Sequence, residues 1–270
     1  MKQILCFGDS NTYGLIPGTK DRYDWDTRWS GRIGQRLWED GCRIVEEGLC
    51  GRTTVFDDPL RDGRRGTELL SVILETHKPV DVVVLMLGTN DCKTMYDTSA
   101  EVIGRGVERL LDQIRSSTPD SKILLMSPIA LGEGVGEAGY DPEFDESSVA
   151  VSKRLPEVYR RIAHERGISF LAASAYAKPS EEDREHMNEE GRCRAGGGSV
   201  CKVKGNARRR ERERTDPGIG GSCGTMMAAE PPGSRRHKIT AEDAAARRKR
   251  HGREKSGFDT VIDRTHTNSL

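Results

Sequence analysis

The sequence lacks long apolar segments and is poor in aromatic residues. It contains no run of about 18 apolar residues, so no membrane span is predicted. The N-terminal stretch MKQILCFGDS has too short an apolar run for a signal peptide, and we expect a cytoplasmic protein. Aromatic residues make up only 5% of the 270 residues, so any large core must rest mainly on aliphatic side chains.

Cysteine pairs with the spacing of a metal or redox motif are also absent. The seven cysteines are odd in number and include no C-x-x-C pair; they are Cys6, Cys42, Cys50, Cys92, Cys193, Cys201 and Cys223. This pattern argues against a disulfide scaffold and against a zinc site. We therefore expect reduced thiols and no bound metal.

The formal net charge of zero results from two segments of opposite net charge. Residues 191–270 hold 19 Lys and Arg against 9 Asp and Glu, whereas the first 190 residues hold 24 against 34. The C-terminal segment is rich in Arg runs and Gly clusters and has few large apolar residues. Such a segment buries too little apolar surface to offset its ordering entropy. We predict a folded domain over 1–190 and a basic, low-complexity, mostly disordered tail over 191–270.

Within the first 190 residues, short apolar runs alternate with segments of helical period. Predicted strands cover 3–7, 42–48, 79–87, 122–127 and 168–172, and the main predicted helices cover 29–38, 66–77, 103–114 and 148–166. This alternation is typical of an α/β protein whose parallel sheet is covered on both faces. Ligands bind beyond the carboxyl ends of the strands in such sheets, so the loops after each strand are the place to look for function.

These loops carry a recognisable set of motifs. They are FGDSNTYG at 7–14, GLCGRTT at 48–54, LGTND at 87–91, and Asp183 with His186. In this order the chain resembles the SGNH, or GDSL-type, hydrolase family over residues 1–191, and is similar to its bacterial arylesterases and acetyl-carbohydrate esterases. The resemblance implies a flavodoxin-like three-layer α/β/α fold with about five strands, a serine nucleophile, hydrolysis of small acetyl or aryl esters, and no cofactor.

Three residues are candidates for catalysis. Ser10 follows the first strand and Gly8, and is either a nucleophile or a turn residue that caps a helix. His186 is the histidine that follows the last strand, where the active edge of the sheet is expected. Asp183, three residues earlier, can orient the histidine ring; Glu182 and Glu185 are rival carboxylates, and the family pattern selects Asp183.

Ester hydrolysis also needs donors for the oxyanion. The candidates are the backbone N–H groups of Ser10 and Gly51 and the side-chain amide of Asn90. Gly48 is a rival for Gly51, and Asn90 has an alternative role as an Asx-turn residue. Asp91 is expected to support its loop rather than to react.

The substrate contacts are less sharply indicated. Asp9, Trp25 and Arg52 are candidate substrate-binding residues, with a core position for the tryptophan and a salt bridge for the arginine as alternatives. The Gly-rich acidic segment 132–147 exceeds a minimal connection and is a candidate substrate-covering loop. Small esters are the expected partners; a homo-oligomer is compatible with the sequence, and membrane and nucleic-acid partners are not expected.

The C-terminal segment departs from the family pattern. The family continues after its histidine with an Ala/Leu-rich helix, whereas Gly191 is followed here by RCRAGGGSVCK, which has no helical period. A shifted reading frame over 192–270 is one hypothesis for this. A missing helix would leave one sheet face near 168–172 uncovered and His186 poorly held, which predicts weak activity. The alternative function is an impaired hydrolase scaffold whose basic tail binds nucleic acid or another acidic partner.

Overall fold

A central sheet of five parallel strands organises the protein. The computed structural model describes residues 1–200 and 202. The strands, in chain order, are β1 (Lys2–Gly8), β2 (Cys42–Gly48), β3 (Val82–Met86), β4 (Lys122–Ser127) and β5 (Ser169–Ala172), and their order across the sheet is β2-β1-β3-β4-β5. All five predicted strands are confirmed, with differences of a few residues at their ends. The order reverses at β1, which is where such sheets bind ligands.

The register of the sheet aligns the loops that carry the motifs. Gly8 at the end of β1 is opposite Gly48 of β2 on one side and Met86 of β3 on the other. The chain therefore leaves all three strands at one level. The loops that follow contain Ser10, Gly51 and Asn90, and their proximity is a consequence of this register.

Six helices flank the sheet in the described part of the chain. They are α1 (Ser10–Tyr13), α2 (Trp29–Leu37), α3 (Gly66–Thr76), α4 (Ala100–Ser117), α5 (Glu146–Glu165) and α6 over residues 189–200, with short 3₁₀ turns at Asn90–Cys92, Thr94–Tyr96 and Ala173–Ala175. Ser99 caps α4 by accepting from the Val102 N–H, and Asp145 begins α5 with a capping box. Among residues 1–200 and 202, no helix is long and apolar enough to cross a membrane.

Each face of the sheet has its own apolar core. Alternate residues of β1 point to opposite faces: Leu5 and Phe7 belong to one cluster, and Ile4 and Cys6 to the other. The first cluster includes side chains of α3, α4 and α5, and the second includes those of α2 and α6. The predicted three-layer α/β/α fold is therefore confirmed.

The helix α6 corrects two predictions about the C-terminal segment. Residues 192–200 are helical rather than disordered, and Ala195 lies in the same apolar cluster as Leu171 of β5, so this face of the sheet is covered. An added Cβ at Gly196 would stand 3.0 Å from the Trp29 carbonyl oxygen, and one at Gly198 would stand 2.7 Å from the Tyr176 ring. The helix packs through small residues at short range, and for that reason no apolar stripe reveals it.

The expectation of weak activity loses the argument from a missing helix, because α6 covers this face of the sheet; the expectation itself stays a prediction. The reading-frame hypothesis for 192–270 stays a prediction. The remainder of the predicted tail, residue 201 and residues 203–270, lies outside the described residues.

Candidate active site

The structure brings Ser10, His186 and Asp183 into one hydrogen-bonded line. The Oγ atom of Ser10 is 2.7 Å from Nε2 of His186, and Nδ1 of the same ring is 2.8 Å from Oδ2 of Asp183. Ser10 and His186 are both buried. In this arrangement Nε2 is placed to accept the hydroxyl proton while the carboxylate fixes the other ring nitrogen as the N–H donor.

Ser10 is the first residue of α1 rather than its cap. The cap is Asp9, whose carboxylate accepts a hydrogen bond of 2.9 Å from the Asn11 N–H. Gly8 permits the tight turn, because an added Cβ there would stand 2.0 Å from the Thr12 hydroxyl oxygen and 2.7 Å from the Met86 carbonyl oxygen. The serine hydroxyl is thus left free for the histidine.

The loop itself holds Asp183 in place. Oδ1 accepts the backbone N–H groups of Glu185 at 3.0 Å and His186 at 2.9 Å, and the Gly18 N–H donates to Oδ2 at 3.1 Å. Burial alone would raise the pKa of Asp183, but the hydrogen bonds from His186 hold it below its ordinary value. The carboxylate is therefore ionised at neutral pH and able to stabilise an imidazolium.

Two carboxylates flank the His186 ring on different sides. Asp183 contacts Nδ1, whereas Oε1 of the buried Glu185 lies 3.5 Å from Nε2. Burial by itself would lower the pKa of His186, but the negative charges of Glu185 and Asp183 raise it above its ordinary value. Burial raises the pKa of Glu185 to about 7. Sequence reasoning treated Glu185 only as a rival of Asp183 and missed its separate position.

The three expected oxyanion donors lie on the linked loops after β1, β2 and β3. Gly51 has a φ of +81°, which favours glycine. The Asn90 amide donates to the Arg52 carbonyl oxygen at 3.1 Å, and the Leu49 N–H donates to the Gly8 carbonyl oxygen at 3.1 Å. Within the described residues, the N–H groups of Ser10 and Gly51 donate to no protein acceptor. These groups are thus available to an oxyanion.

Two other residues of these loops, Gly48 and Asp91, have contacts of their own. Gly48 is the last residue of β2, where an added Cβ would stand 2.1 Å from the Tyr13 nitrogen, so its role is close packing. Asp91 accepts hydrogen bonds from the Thr54 N–H at 3.0 Å and from the Thr54 hydroxyl, as expected for a residue that supports its loop. It joins the GLCGRTT and LGTND loops, and burial raises its pKa to about 6.

The three substrate-binding candidates all have contacts within the framework of the site, and their role in binding stays a prediction. Arg52 is 3% exposed, and its guanidinium donates to the carbonyl oxygens of Gly8, at 2.9 Å, and Glu47. Asp9 is fully buried as the α1 cap. Trp25 lies against α2, where an added Cβ at Gly34 would stand 2.8 Å from its ring. Asp9 and Arg52 therefore stabilise the framework of the site, whereas Trp25 is 42% exposed and stays a candidate for substrate binding.

Two further arginines lie beside Gly51. An added Cβ on Gly51 would stand 3.1 Å from a terminal nitrogen of Arg61 and 3.4 Å from Nε of Arg64. Arg61 pairs with Glu143 at 2.5 Å and Asp58 at 3.8 Å. Positive charge at this point favours negative charge on an oxygen bound near Gly51. Nothing in the sequence distinguished these arginines from the many others in the chain.

The predicted covering loop, 132–147, contacts the catalytic loop. The Gly132 N–H donates to the Arg184 carbonyl oxygen at 2.7 Å, and the Arg184 guanidinium contacts Glu137 at 2.9 Å and lies 4.1 Å from the centre of the Tyr140 ring. Arg184 lies between Asp183 and Glu185 and has a φ of +59°. The segment therefore buttresses the catalytic loop; that it covers the substrate stays a prediction.

The helix α6 is tied to the nucleophile turn by Arg192. This fully buried side chain donates to the carbonyl oxygens of Asn11 and Leu15, both at 2.7 Å. The Asn11 side chain in turn accepts the Met187 N–H at 3.0 Å, next to His186. Sequence reasoning placed Arg192 in the disordered tail, because a lone arginine among small residues carries no signal for burial.

Comparison with known proteins agrees with this geometry. Residues 6–192 match the model of the GDSL-like Lipase/Acylhydrolase family. No curated protein matches the chain. Among solved structures, the inhibitor-bound aryl esterase of M. smegmatis is 30% identical, with a TM-score of 0.71, and the match covers 76% of this chain and 99% of that one.

Two other structures are similar to the same extent. Est24, a carbohydrate acetylesterase from Sinorhizobium meliloti, is 32% identical with a TM-score of 0.70, and a putative arylesterase from Agrobacterium tumefaciens str. C58 is 32% identical with a TM-score of 0.68. Each match covers 76% of this chain and 99% of the other. The chain belongs to the GDSL-like lipase/acylhydrolase family.

Proposed function

We propose that this protein hydrolyses small carboxylic esters, acetyl or aryl esters among them, through an acyl-Ser10 intermediate. Family membership and the esterase structures it resembles support ester hydrolysis in general. The observation that carries the proposal is the hydrogen-bonded line from Ser10 through His186 to Asp183, set beside backbone donors that have no protein acceptor. A serine needs both a base and an oxyanion site to act on an ester.

In the first half-reaction, Ser10 Oγ attacks the ester carbonyl carbon. Its proton passes to Nε2 of His186, and the carbonyl electron pair moves onto oxygen. The N–H groups of Ser10 and Gly51 and the amide of Asn90 stabilise that oxyanion. The C–O bond to the alcohol then breaks, and the alcohol oxygen takes the proton from Nε2, which leaves an acyl ester on Ser10.

In the second half-reaction, water takes the place of the alcohol. Nε2 removes a proton from the water as its oxygen attacks the acyl carbon. The intermediate collapses to a carboxylic acid, and the Ser10 oxygen regains a proton from Nε2. Asp183 keeps the imidazole in the same tautomer throughout, since its hydrogen bond to Nδ1 is favoured in both charge states of the ring.

The test is turnover of p-nitrophenyl acetate by the full chain and by Ser10→Ala. We expect hydrolysis by the wild type and loss of at least about a thousandfold in the variant. Ser174→Ala is the matched control, because Ser174 is exposed and remote from these hydrogen bonds. Rapid quenching followed by mass spectrometry should detect one acetyl group on Ser10. Equal turnover by Ser10→Ala and the wild type would end the assignment.

The alternative function, a scaffold whose basic tail binds nucleic acid, falls mainly on residue 201 and residues 203–270, which are outside the described part of the chain. No contact of the described residues favours it over hydrolysis.

A further inference from the structure

Glu185 is a buried acid next to the catalytic base that the mechanism above does not use. Its carboxylate is 10% exposed, and Oε1 lies 3.5 Å from Nε2 of His186. The Ser10 hydroxyl lies 2.7 Å from the same nitrogen. The serine, the imidazole nitrogen and this second carboxylate therefore share one small region, whereas Asp183 occupies the far side of the ring.

The chemistry of the reaction determines which part of the ester lies in this region. Nε2 must deliver its proton to the departing alcohol oxygen, so the alcohol part of the ester lies on the Nε2 side. In the proposed mechanism the carbonyl oxygen points instead towards Gly51, which lies beside Arg61 and Arg64. A group 3.5 Å from Nε2 consequently faces the alcohol part rather than the carbonyl oxygen.

Several other negatively charged groups lie near Glu185. Asp183 belongs to its own loop, Asp9 to the turn after β1, and Asp141 to the segment between β4 and α5; each of these negative charges acts on Glu185. The half-buried thiol of Cys50, in the loop after β2, also feels the charge of Glu185. His186 is the positive group in contact with Glu185, and Arg64, from the segment between β2 and α3, acts on the same Cys50 thiol. The named carboxylates outnumber these two cations, so this side of the site is acidic.

We propose that Glu185 determines specificity for the alcohol: its carboxylate faces the leaving group and favours esters of alcohols that carry a positive charge, such as a quaternary ammonium. This inference rests on the proposed esterase function, because only that reaction assigns the alcohol to the Nε2 side. For two opposite charges about 6 Å apart, in surroundings whose dielectric constant lies between those of protein and water, the attraction should change kcat/KM on the order of tenfold.

The substrates that test it are acetylcholine and 3,3-dimethylbutyl acetate, which have nearly the same shape and differ in charge. At about pH 8, where Glu185 with its pKa of about 7 is mostly ionised, we expect the wild type to favour the cationic ester by about tenfold in kcat/KM and Glu185→Gln to lose most of that preference. The matched control is Glu181→Gln, an exposed acid of the same loop, which should keep the wild-type ratio. An unchanged ratio in Glu185→Gln would overturn the proposal.

A second readout separates this inference from the proposed function. Choline and 3,3-dimethyl-1-butanol are titrated into Ser10→Ala and into the double variant with Glu185→Gln, and binding is followed by NMR without any turnover. If Ser10→Ala prefers choline and the double variant does not, the specificity role of Glu185 is supported even if ester hydrolysis fails. Equal binding of the two alcohols to Ser10→Ala overturns it even if hydrolysis is confirmed.

A third measurement is the pH midpoint of His186, which should not change if Glu185 has only a structural role. The carboxylate stabilises the imidazolium, so its removal should lower the pH midpoint of His186, followed by NMR, by about one pH unit. Asp183 and Asp9 also raise the pKa of His186 and remain in the variant. A midpoint that does not move in Glu185→Gln would contradict the contact.

Discussion

Replacing Arg192 with methionine tests whether α6 fixes the nucleophile turn. The guanidinium is fully buried and donates to the carbonyl oxygens of Asn11 and Leu15, each at 2.7 Å. Methionine fills much of the same volume but leaves both carbonyls without this donor. Because Asn11 follows Ser10 directly, a shift of its peptide moves the nucleophile relative to His186.

The expected magnitude follows from these two contacts. A hydrogen bond to a charged group contributes about 1.5–3 kcal/mol, and an abandoned buried acceptor costs about 1–3 kcal/mol. Part of this loss in stability is offset, because methionine removes a buried charge. Burial lowers the pKa of Arg192 to about 10, so burying the charged form destabilises the folded protein. We expect a net loss of about 2–4 kcal/mol in the free energy of unfolding, or a Tm lower by about 5–15 °C.

The assay compares Arg192→Met with Arg194→Met by thermal unfolding and by p-nitrophenyl acetate turnover. Arg194 lies on the same helix, but its side chain is 64% exposed and pairs with the exposed Glu190. Its replacement should change stability by less than about 0.5 kcal/mol and leave turnover intact. Arg192→Met should also lower kcat by about tenfold or more. Equal Tm and equal kcat in the two variants would refute the reasoning.

Other predictions concern the donors, the base and the chain length. Asn90→Ala should lower kcat by about 10²–10³ with little change in Tm, and an effect confined to KM would contradict an oxyanion role. Asp183→Asn should lower kcat by about 10³–10⁴, measured under saturating substrate, and a loss below about tenfold would exclude it as the orienting group. Since the pKa of His186 is raised and the ring must be neutral to act, the acid limb of kcat/KM should have its midpoint above about pH 6.5, and a midpoint clearly below that value would contradict the assignment. A variant ending at residue 202 should keep the wild-type kcat and Tm, whereas one ending at residue 188 lacks α6 and should lose both; the reverse result would place the stabilising contacts in 203–270.

Much of the fold was predictable because its signals are local. The strand β3 is an unbroken run of buried apolar residues, and Trp29, Ile33 and Leu37 of α2 repeat at helical spacing and are all buried. The motifs that follow β1, β2 and β3 were recognisable in order, and a parallel sheet brings such loops to one edge.

Contacts that depend on distant residues were not predictable in this way. Trp25 is a candidate for substrate binding because it is close to Ser10 in sequence; its ring packs on Gly34 of α2 and is still 42% exposed. Arg52 was a second candidate, and its guanidinium donates hydrogen bonds to backbone carbonyl oxygens at the ends of β1 and β2. An aromatic or charged residue near a motif looks the same in sequence whether it meets a substrate or the framework.

Strand periodicity and short motifs are properties of neighbouring residues, so the sheet, the order of the loops and the candidates Ser10, Asn90, Asp183 and His186 could be predicted from the sequence. The helix over residues 189–200 could not, since small residues pack by close approach and leave no apolar stripe. It also placed two carboxylates of one loop against different nitrogens of His186. That separation depends on the turn at Arg184, where φ is positive, and on the fold around this loop, which no spacing between residues encodes.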